Sequence, residues 1–316
     1  MKKYALIFPG QGAQKPGMGK DLYDNSQAAR NVFKTADEVL GYSISDLCFN
    51  GSEEDLTKTI NSQPCILAVS IAAYEALKEK LNIAPSAAAG HSLGEYAALY
   101  ASGAVDLKTV MLLISKRAAL MNEAAERTNG TMAAVLGLDD NTVINITKQL
   151  NNVYVANFNS PGQVVITGDK NEITNNLDKF KEAGAKRVLP LAVSGAFHSP
   201  LMESAANEFV DFVKHFEFND TIIPVYTNVD AEAETTGNNF MKKLPKQIRS
   251  SVLWTQTIRN IAQTGIFDFI ELGPVKVLAG LNKKINPELR TLNIYDFESL
   301  NLVSEELSNN REKELI

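Results

Sequence analysis

Cysteine, histidine and tryptophan are scarce: two, three and one in 316 residues. The cysteines, Cys48 and Cys65, form no CxxC pair. With so few histidines this excludes a structural zinc site and a disulfide framework. Both thiols read as small core residues. Positive charge is not in excess either, with 31 Lys and Arg against 37 Asp and Glu, a net charge of -6 and a pI near 5.3. General binding to nucleic acid or an anionic membrane is excluded, because phosphate repels such a chain. A local basic patch for an acidic partner stays open. No long apolar run is present. The longest apolar stretch, Ala84 to Val105, carries His91, Glu95 and three glycines. The start, MKKYALIFPGQG, has a five-residue apolar run before Pro9 and Gly10, too short for a signal peptide. The expectation is a cytoplasmic protein without a membrane segment.

What is present is ordinary core material, 45% apolar and 22% charged residues. At roughly 150 residues per domain, the length suggests two units or one large α/β body with an insertion. Residues 4–8 read as a buried strand running into the loop Pro9–Gln14. Val69, Ala72, Ala73, Ala76, Leu77 and Leu81 recur at helical spacing, which predicts a helix over 65–81. Residues 84–89 are ambiguous, since alanine favours helix while Pro85 and Gly90 bound too short a piece. Helices are predicted at 93–102 and 107–126. From 132 the order becomes strand (132–138), helix (139–150), strands (153–158 and 163–168) around Asn159-Ser-Pro-Gly162, helix (171–184) and strand (186–193). This β-α-β-β-α-β order is the ferredoxin-like unit. Beyond it, a helix (200–217), a strand (222–227), helices (239–249 and 255–264), the strand FDFIEL, a further helix and a last strand near 290–295 return to a mostly parallel α/β pattern. Residues 301–316 read as a polar, frayed tail.

Gly90-His-Ser92-Leu-Gly94 matches G-x-S-x-G, a sharp strand-to-helix turn that exposes a serine hydroxyl. A glycine-rich turn with a capping serine is the alternative. A nucleophilic serine needs a base. His91 is adjacent in sequence and points away on such a turn, and His215 sits among Phe212, Val213, Phe216 and Phe218 as a core or surface residue. His198 precedes Ser199-Pro200, which can open a helix. The positive helix end then depresses its pKa and keeps it neutral; a purely structural histidine is the other reading. Arg117 shares the apolar stripe of its helix with Val110, Leu113, Ile114 and Met121. A buried guanidinium needs a carboxylate, from either an internal salt bridge or a substrate. Gly10-Gln11-Gly12 is no dinucleotide fingerprint, because Lys15 stands where the third glycine belongs; a loop presenting N–H groups to an anion fits better.

Together these pieces resemble the malonyl-CoA:acyl-carrier-protein transacylases of fatty-acid synthesis. The shared motifs are FPGQGAQ (8–14), SQP (62–64), GHSLGEYAAL (90–99), SKRAALM (115–121), NSPGQVVITG (159–168), SGAFHSPLM (194–202) and ELGP (271–274). The resemblance implies a hydrolase-like, mostly parallel α/β body over 1–127 and 194–300 with an inserted ferredoxin-like subdomain at 128–193. It implies Ser92 as acylated nucleophile, His198 as base, and the N–H groups of Gln11 and Leu93 as oxyanion hole. Arg117 clamps the malonyl carboxylate, and the backbone carbonyl of Gln247 orients the imidazole. Gln63, Asn157 and Met121 line the pocket. The implied reaction is ping-pong transfer of malonyl from malonyl-CoA to the phosphopantetheine thiol of acyl carrier protein, with no bound cofactor and no metal.

An acidic carrier protein would dock on a local basic patch for which Lys186, Arg187, Lys283 and Lys284 are the candidates; a solvated face without function is the alternative. Competing readings are a serine thioesterase of the α/β-hydrolase class, an acyltransferase of a polyketide or malonate pathway, and a carrier-binding module with a degenerate site. Against the hydrolase, the elbow sits early, a large insertion follows and His198 lies well before the C-terminus.

Overall fold

The computed structural model describes residues 3–193 and 195–314. β1 (Tyr4–Phe8) is followed by α1 (Lys20–Asn25), α2 (Gln27–Leu40), α3 (Ile44–Asn50), α4 (Glu53–Thr57), the long α5 (Thr59–Lys80), β2 (Ala87–Gly90), α6 (Gly94–Ala101) and α7 (Leu107–Arg127). The middle of the chain runs β3 (Gly130–Leu136), α8 (Asp140–Thr147), β4 (Val153–Ser160), β5 (Gln163–Asp169), α9 (Lys170–Asn175), α10 (Leu177–Glu182) and β6 (Arg187–Pro190). A 3-10 turn at Pro200–Met202 leads into α11 (Glu203–Val213), β7 (Val225–Tyr226), β8 (Ala233–Glu234), α12 (Gly237–Arg249) and α13 (Trp254–Gln263). The chain closes with β9 (Asp268–Leu272), α14 (Leu278–Ile285), β10 (Arg290–Ile294) and α15 (Phe297–Glu314).

The fold is α/β, built on a six-stranded sheet of order β10-β9-β1-β2-β7-β8. It is parallel throughout except for β8, which pairs antiparallel with β7. Both faces are covered, so its central strands are apolar on both sides. Tyr4, Leu6, Phe8 and Ala88 join the larger core, whereas Ala5, Ile7, Ala87 and Ala89 join a second core with Trp254, Ile258, Ile261 and Leu281. The register pairs Phe8 with Gly90 and Ile7 with Glu271. The loops leaving β1, β2 and β9 therefore emerge side by side at the carboxyl ends of the strands, where open α/β sheets place their ligands.

A second, antiparallel sheet has the order β4-β5-β3-β6 and its own core of Ala133, Val135, Val143, Val164, Ile166 and Phe180. Its edge strand β4 is stitched to the segment after α12: Phe158 N–H donates to Val252 O at 2.9 Å and Val252 N–H to Ala156 O at 2.8 Å. The two sheets thus meet beside residues 250–252.

Several elements differ from the sequence expectation. The ambiguous 84–89 segment yields β2, because a central strand flanked by packed helices favours small side chains over alanine's helix propensity. The helix expected from 65 begins at Thr59; Pro64 lies inside it and frees only the carbonyl of exposed Ile60. The single helix expected over 171–184 is broken at Asn176, whose side chain donates to Glu172 O at 2.7 Å and competes with the helical ladder. The helix expected over 200–217 ends at Val213, and the strand expected over 222–227 keeps only Val225–Tyr226. The tail expected to fray from 301 is helical through Glu314, with Leu300 and Val303 in the main core; residues 315–316 lie outside the described residues. So do Met1, Lys2 and Ser194, the first residue of the SGAFHSPLM motif. Among the described residues no helix is long and apolar enough to cross a membrane.

Candidate active site

Ser92 sits on a turn that only glycines permit. A Cβ on Gly90 would come within 2.0 Å of Gly94 O, and one on Gly94 within 2.2 Å of Phe8 O. The serine itself holds φ 52°, a left-handed conformation that costs about 1–2 kcal/mol for a non-glycine residue. Its neighbours hold it there. Its N–H donates to Asn228 Oδ1 at 2.7 Å, and its carbonyl accepts from Glu95 N–H at 3.1 Å and from Gln247 Nε2 at 2.9 Å.

His198 also has positive φ, 58°, and its Nε2 lies 2.8 Å from Ser92 Oγ. On the far side of the ring, Nδ1 lies 2.9 Å from Gln247 O and 3.1 Å from Ser250 O. These belong to the end of α12 and the residue after it, where helix carbonyls lack intrahelical donors. Two acceptors at Nδ1 require the proton there, leaving the Nε2 lone pair to accept the serine O–H. The imidazole is pushed down to about 3, by burial first and by the Arg117 charge second. The direction is the expected one; the cause is not, because only a three-residue 3-10 turn follows Ser199. His91 turns aside, its Nε2 2.8 Å from Asn159 Oδ1.

Arg117 is 1% exposed. Its Nη2 donates to Ser92 Oγ and to Gln247 Oε1, both at 3.0 Å, and its Nη1 to Gln63 Oε1. The internal salt bridge left open by the sequence is absent: among the described residues no carboxylate oxygen lies within 4.0 Å of this guanidinium. Neutral acceptors alone hold a buried cation, so its charge is open to an anion from outside. Gln63 Nε2 in turn donates to Met121 Sδ at 3.6 Å, which puts Gln63, Met121, Arg117 and Gln247 around the serine. Asn157 is not hydrogen-bonded into this group; it pairs with Val252 on the edge of β4 and its Oδ1 is buried without a partner.

The backbone N–H groups of Gln11 and Leu93 donate to no protein acceptor among the described residues. The loop carrying Gln11 lies against the serine turn, since a Cβ on Gly10 would meet His91 O at 2.6 Å. Beside His198 an open cleft of about 500 Å³ is lined by Val155, Phe158, Arg249, Ser250 and Ser251, between the small sheet and the end of α12. Among the described residues no group of three His, Cys, Asp or Glu side chains is placed to hold a metal ion.

Sequence reasoning missed three participants. Asn228 and the Ser250 carbonyl carry no local signal. Glu95 did: it is the one acidic side chain in the apolar stretch 84–105, is 1% exposed, and burial raises its carboxyl to about 7.

A half-buried serine bonded to a buried histidine on a strand–turn–helix, with a cation and two unspent amides at the serine, is the equipment of acyl transfer. The acyl transferase domain family matches residues 5–300. The malonyl CoA-acyl carrier protein transacylase of Bacillus subtilis is 42% identical over 97% of this chain and 98% of its own length. That of Haemophilus influenzae is 42% identical over 96% and 99%. An acyl carrier protein S-malonyltransferase from Vibrio cholerae superposes with a TM-score of 0.92 at 40% identity, covering 96% of this chain and 100% of that one. A malonyl-transacylase solved in complex with its type II PKS acyl-carrier protein gives 0.93 at 39%, with 96% and 100% covered. The chain belongs to the family of malonyl CoA-acyl carrier protein transacylases.

Proposed function

We propose that this chain transfers malonyl from malonyl-CoA to the phosphopantetheine thiol of an acyl carrier protein through a malonyl-Ser92 intermediate. The observation that carries the reading is the convergence on one atom: Ser92 Oγ lies 2.8 Å from His198 Nε2 and 3.0 Å from Arg117 Nη2. Neutral His198 takes the hydroxyl proton as Oγ attacks the thioester carbon. The oxyanion is received by the N–H groups of Gln11 and Leu93, each such donor typically worth roughly 10²–10³ in rate. The C–S bond breaks, His198 returns the proton to the departing coenzyme A thiolate, and malonyl-serine remains. The carrier thiol then gives its proton to His198 and attacks the ester carbon; the C–O bond to Ser92 breaks and His198 returns the proton to Ser92 Oγ. Carbonyls of Gln247 and Ser250, at the negative end of α12, support the transient imidazolium in place of a carboxylate. Arg117 receives the malonyl carboxylate, while Gln63 and Met121 line the acyl pocket and Asn157 its outer edge. The cycle uses protein groups alone, with no bound cofactor or metal.

The domain reading belongs to the same proposal. Residues 128–193 form a ferredoxin-like unit, for which the strand order β4-β5-β3-β6 is the support, set into a hydrolase-like body of 1–127 and 194–300. The carrier docks on Lys186, Arg187, Lys283 and Lys284, all exposed. Lys284 Nζ donates to Gln163 Oε1 at 3.1 Å, and the stem of Lys186 flanks Gly137, whose N–H donates to Gly162 O at 2.8 Å. Both lysines therefore border the β4–β5 turn. Cytoplasmic work is part of the reading and suits two free, buried thiols.

The test is intact mass after mixing with malonyl-CoA, followed by addition of holo carrier protein. A malonyl adduct on Ser92 that moves to the carrier is expected, with none in Ser92→Ala. Free malonate in place of malonyl-carrier would make the chain a thioesterase; no adduct at all would overturn the enzyme reading.

A further inference from the structure

Glu95 is a buried acid without an ion-pair partner among the described residues, and burial of that kind is costly. One atom of it is heavily used. Glu95 Oε2 accepts from the Asn228 N–H at 2.8 Å and from Gln247 Nε2 at 2.9 Å. Asn228 is the residue whose Oδ1 holds the Ser92 N–H, and its Nδ2 donates to Gly90 O at 2.7 Å. Gln247 is the residue whose Oε1 holds Arg117.

A carboxamide can turn over, exchanging its donor and acceptor ends at little steric cost. Gln247 does not have that freedom here. Its Nε2 faces two oxygens that accept here, the Ser92 carbonyl and Glu95 Oε2, which already receives the Asn228 N–H. Its Oε1 is thereby aimed at Arg117 Nη2. Reversed, the amide would present N–H to a guanidinium, donor against donor, and a carbonyl oxygen to two oxygens. The Ser92 carbonyl alone gives this end of the amide one partner; Glu95 gives it the second and fixes its tilt.

We propose that Glu95 is a positioning residue for acyl selectivity, holding the Gln247 carboxamide so that it sets the Arg117 guanidinium for a substrate carboxylate. This rests on the functional reading above and deepens it. Glu95 touches neither the hydroxyl nor the imidazole, so its effect falls on acyl groups that carry a carboxylate. A merely structural role, such as tethering the Asn228 loop, would weaken transfer of every acyl group alike.

The experiment measures kcat/KM of enzyme acylation with malonyl-CoA and with acetyl-CoA, in wild type, Glu95→Ala, Glu95→Gln, Gln247→Ala and the Glu95→Ala/Gln247→Ala pair. Loss of a buried hydrogen bond that fixes Arg117 lowers the malonyl-to-acetyl ratio about tenfold in Glu95→Ala. Glu95→Gln keeps an accepting oxygen for both donors and retains the ratio to within about threefold. Gln247→Ala, which leaves the backbone carbonyl for His198, lowers the ratio to a similar extent, and adding Glu95→Ala to it lowers the ratio no further. Equal losses for both acyl groups, or a further loss of ratio in the double variant, overturn the proposal. Should Glu95→Ala not fold, Gln247→Ala decides, and a wild-type ratio there overturns it. Wild-type acylation by malonyl-CoA in the same assay tests the functional reading on its own, and its absence removes both.

Discussion

Arg117→Ala separates recognition of the acyl group from the chemistry at its thioester. The guanidinium is 1% exposed and its pKa is pulled down by burial, with Tyr96 and Glu95 opposing. Its partners are two amide oxygens and one hydroxyl. A malonyl carboxylate replaces such neutral contacts with a charge-assisted, bidentate pair in a site poor in water, worth on the order of 2–4 kcal/mol of discrimination. Arg117→Ala is therefore expected to lower kcat/KM for malonyl-CoA by roughly 30- to 1,000-fold. Acetyl-CoA supplies no carboxylate, so its transfer stays equal or improves once the uncompensated charge is gone. Lysine restores only part of the malonyl rate, being a point charge without the planar fork. The assay is kcat/KM for both thioesters in all three proteins. A fall of both by one factor would refute the reasoning and make the arginine a structural residue.

Three further expectations concern pH and charge. Because the buried imidazole of His198 lies near 3 rather than at its ordinary 6.5, the base stays free throughout the neutral range. Acylation by malonyl-CoA followed from pH 5 to 8 should show no acid limb from this histidine; a limb near 6.5 that persists in Glu95→Gln would count against it. The same shift makes folding pH-dependent with a definite sign. The folded pKa lies below the unfolded one, so the contribution of the neutral ring is intact above about 6.5 and is lost as pH falls toward 3. For the basic residues, reversing Lys186, Arg187, Lys283 or Lys284 should raise the carrier-protein KM about two- to fivefold each, the worth of an exposed pair. Added salt should raise it too and leave the malonyl-CoA half-reaction unchanged. A KM insensitive to salt would remove the patch from the docking surface.

What was readable in advance is what repeats along the chain. The alternation of strands and helices implies a mostly parallel sheet, and the apolar stripe of α7 alone places Arg117 on a buried face. Local propensity leaves open what tertiary packing decides. Ala87 to Ala89 are good helix formers drawn into a central strand, because the layers pressed on both faces leave room for little more than a methyl group. The helix expected over 65–81 starts earlier, at Thr59, and tolerates Pro64 because the carbonyl it frees belongs to an exposed residue.

The site follows the same division. Ser92 and its glycines form one local motif, legible because the turn's steric demands all fall within five residues. His198 was legible by elimination among three histidines. Its environment was not. The two carbonyls that fix its tautomer come from the end of α12, about 50 residues on, and backbone atoms carry no sequence signature. Asn228 is farther still from the serine amide it holds. Glu95 is the instructive case, since its position in the motif was plain while its partners were not. A carboxylate in an otherwise apolar helix announces that something must meet it. Only the fold reveals that what meets it is an amide 152 positions away whose other end is bonded to Arg117.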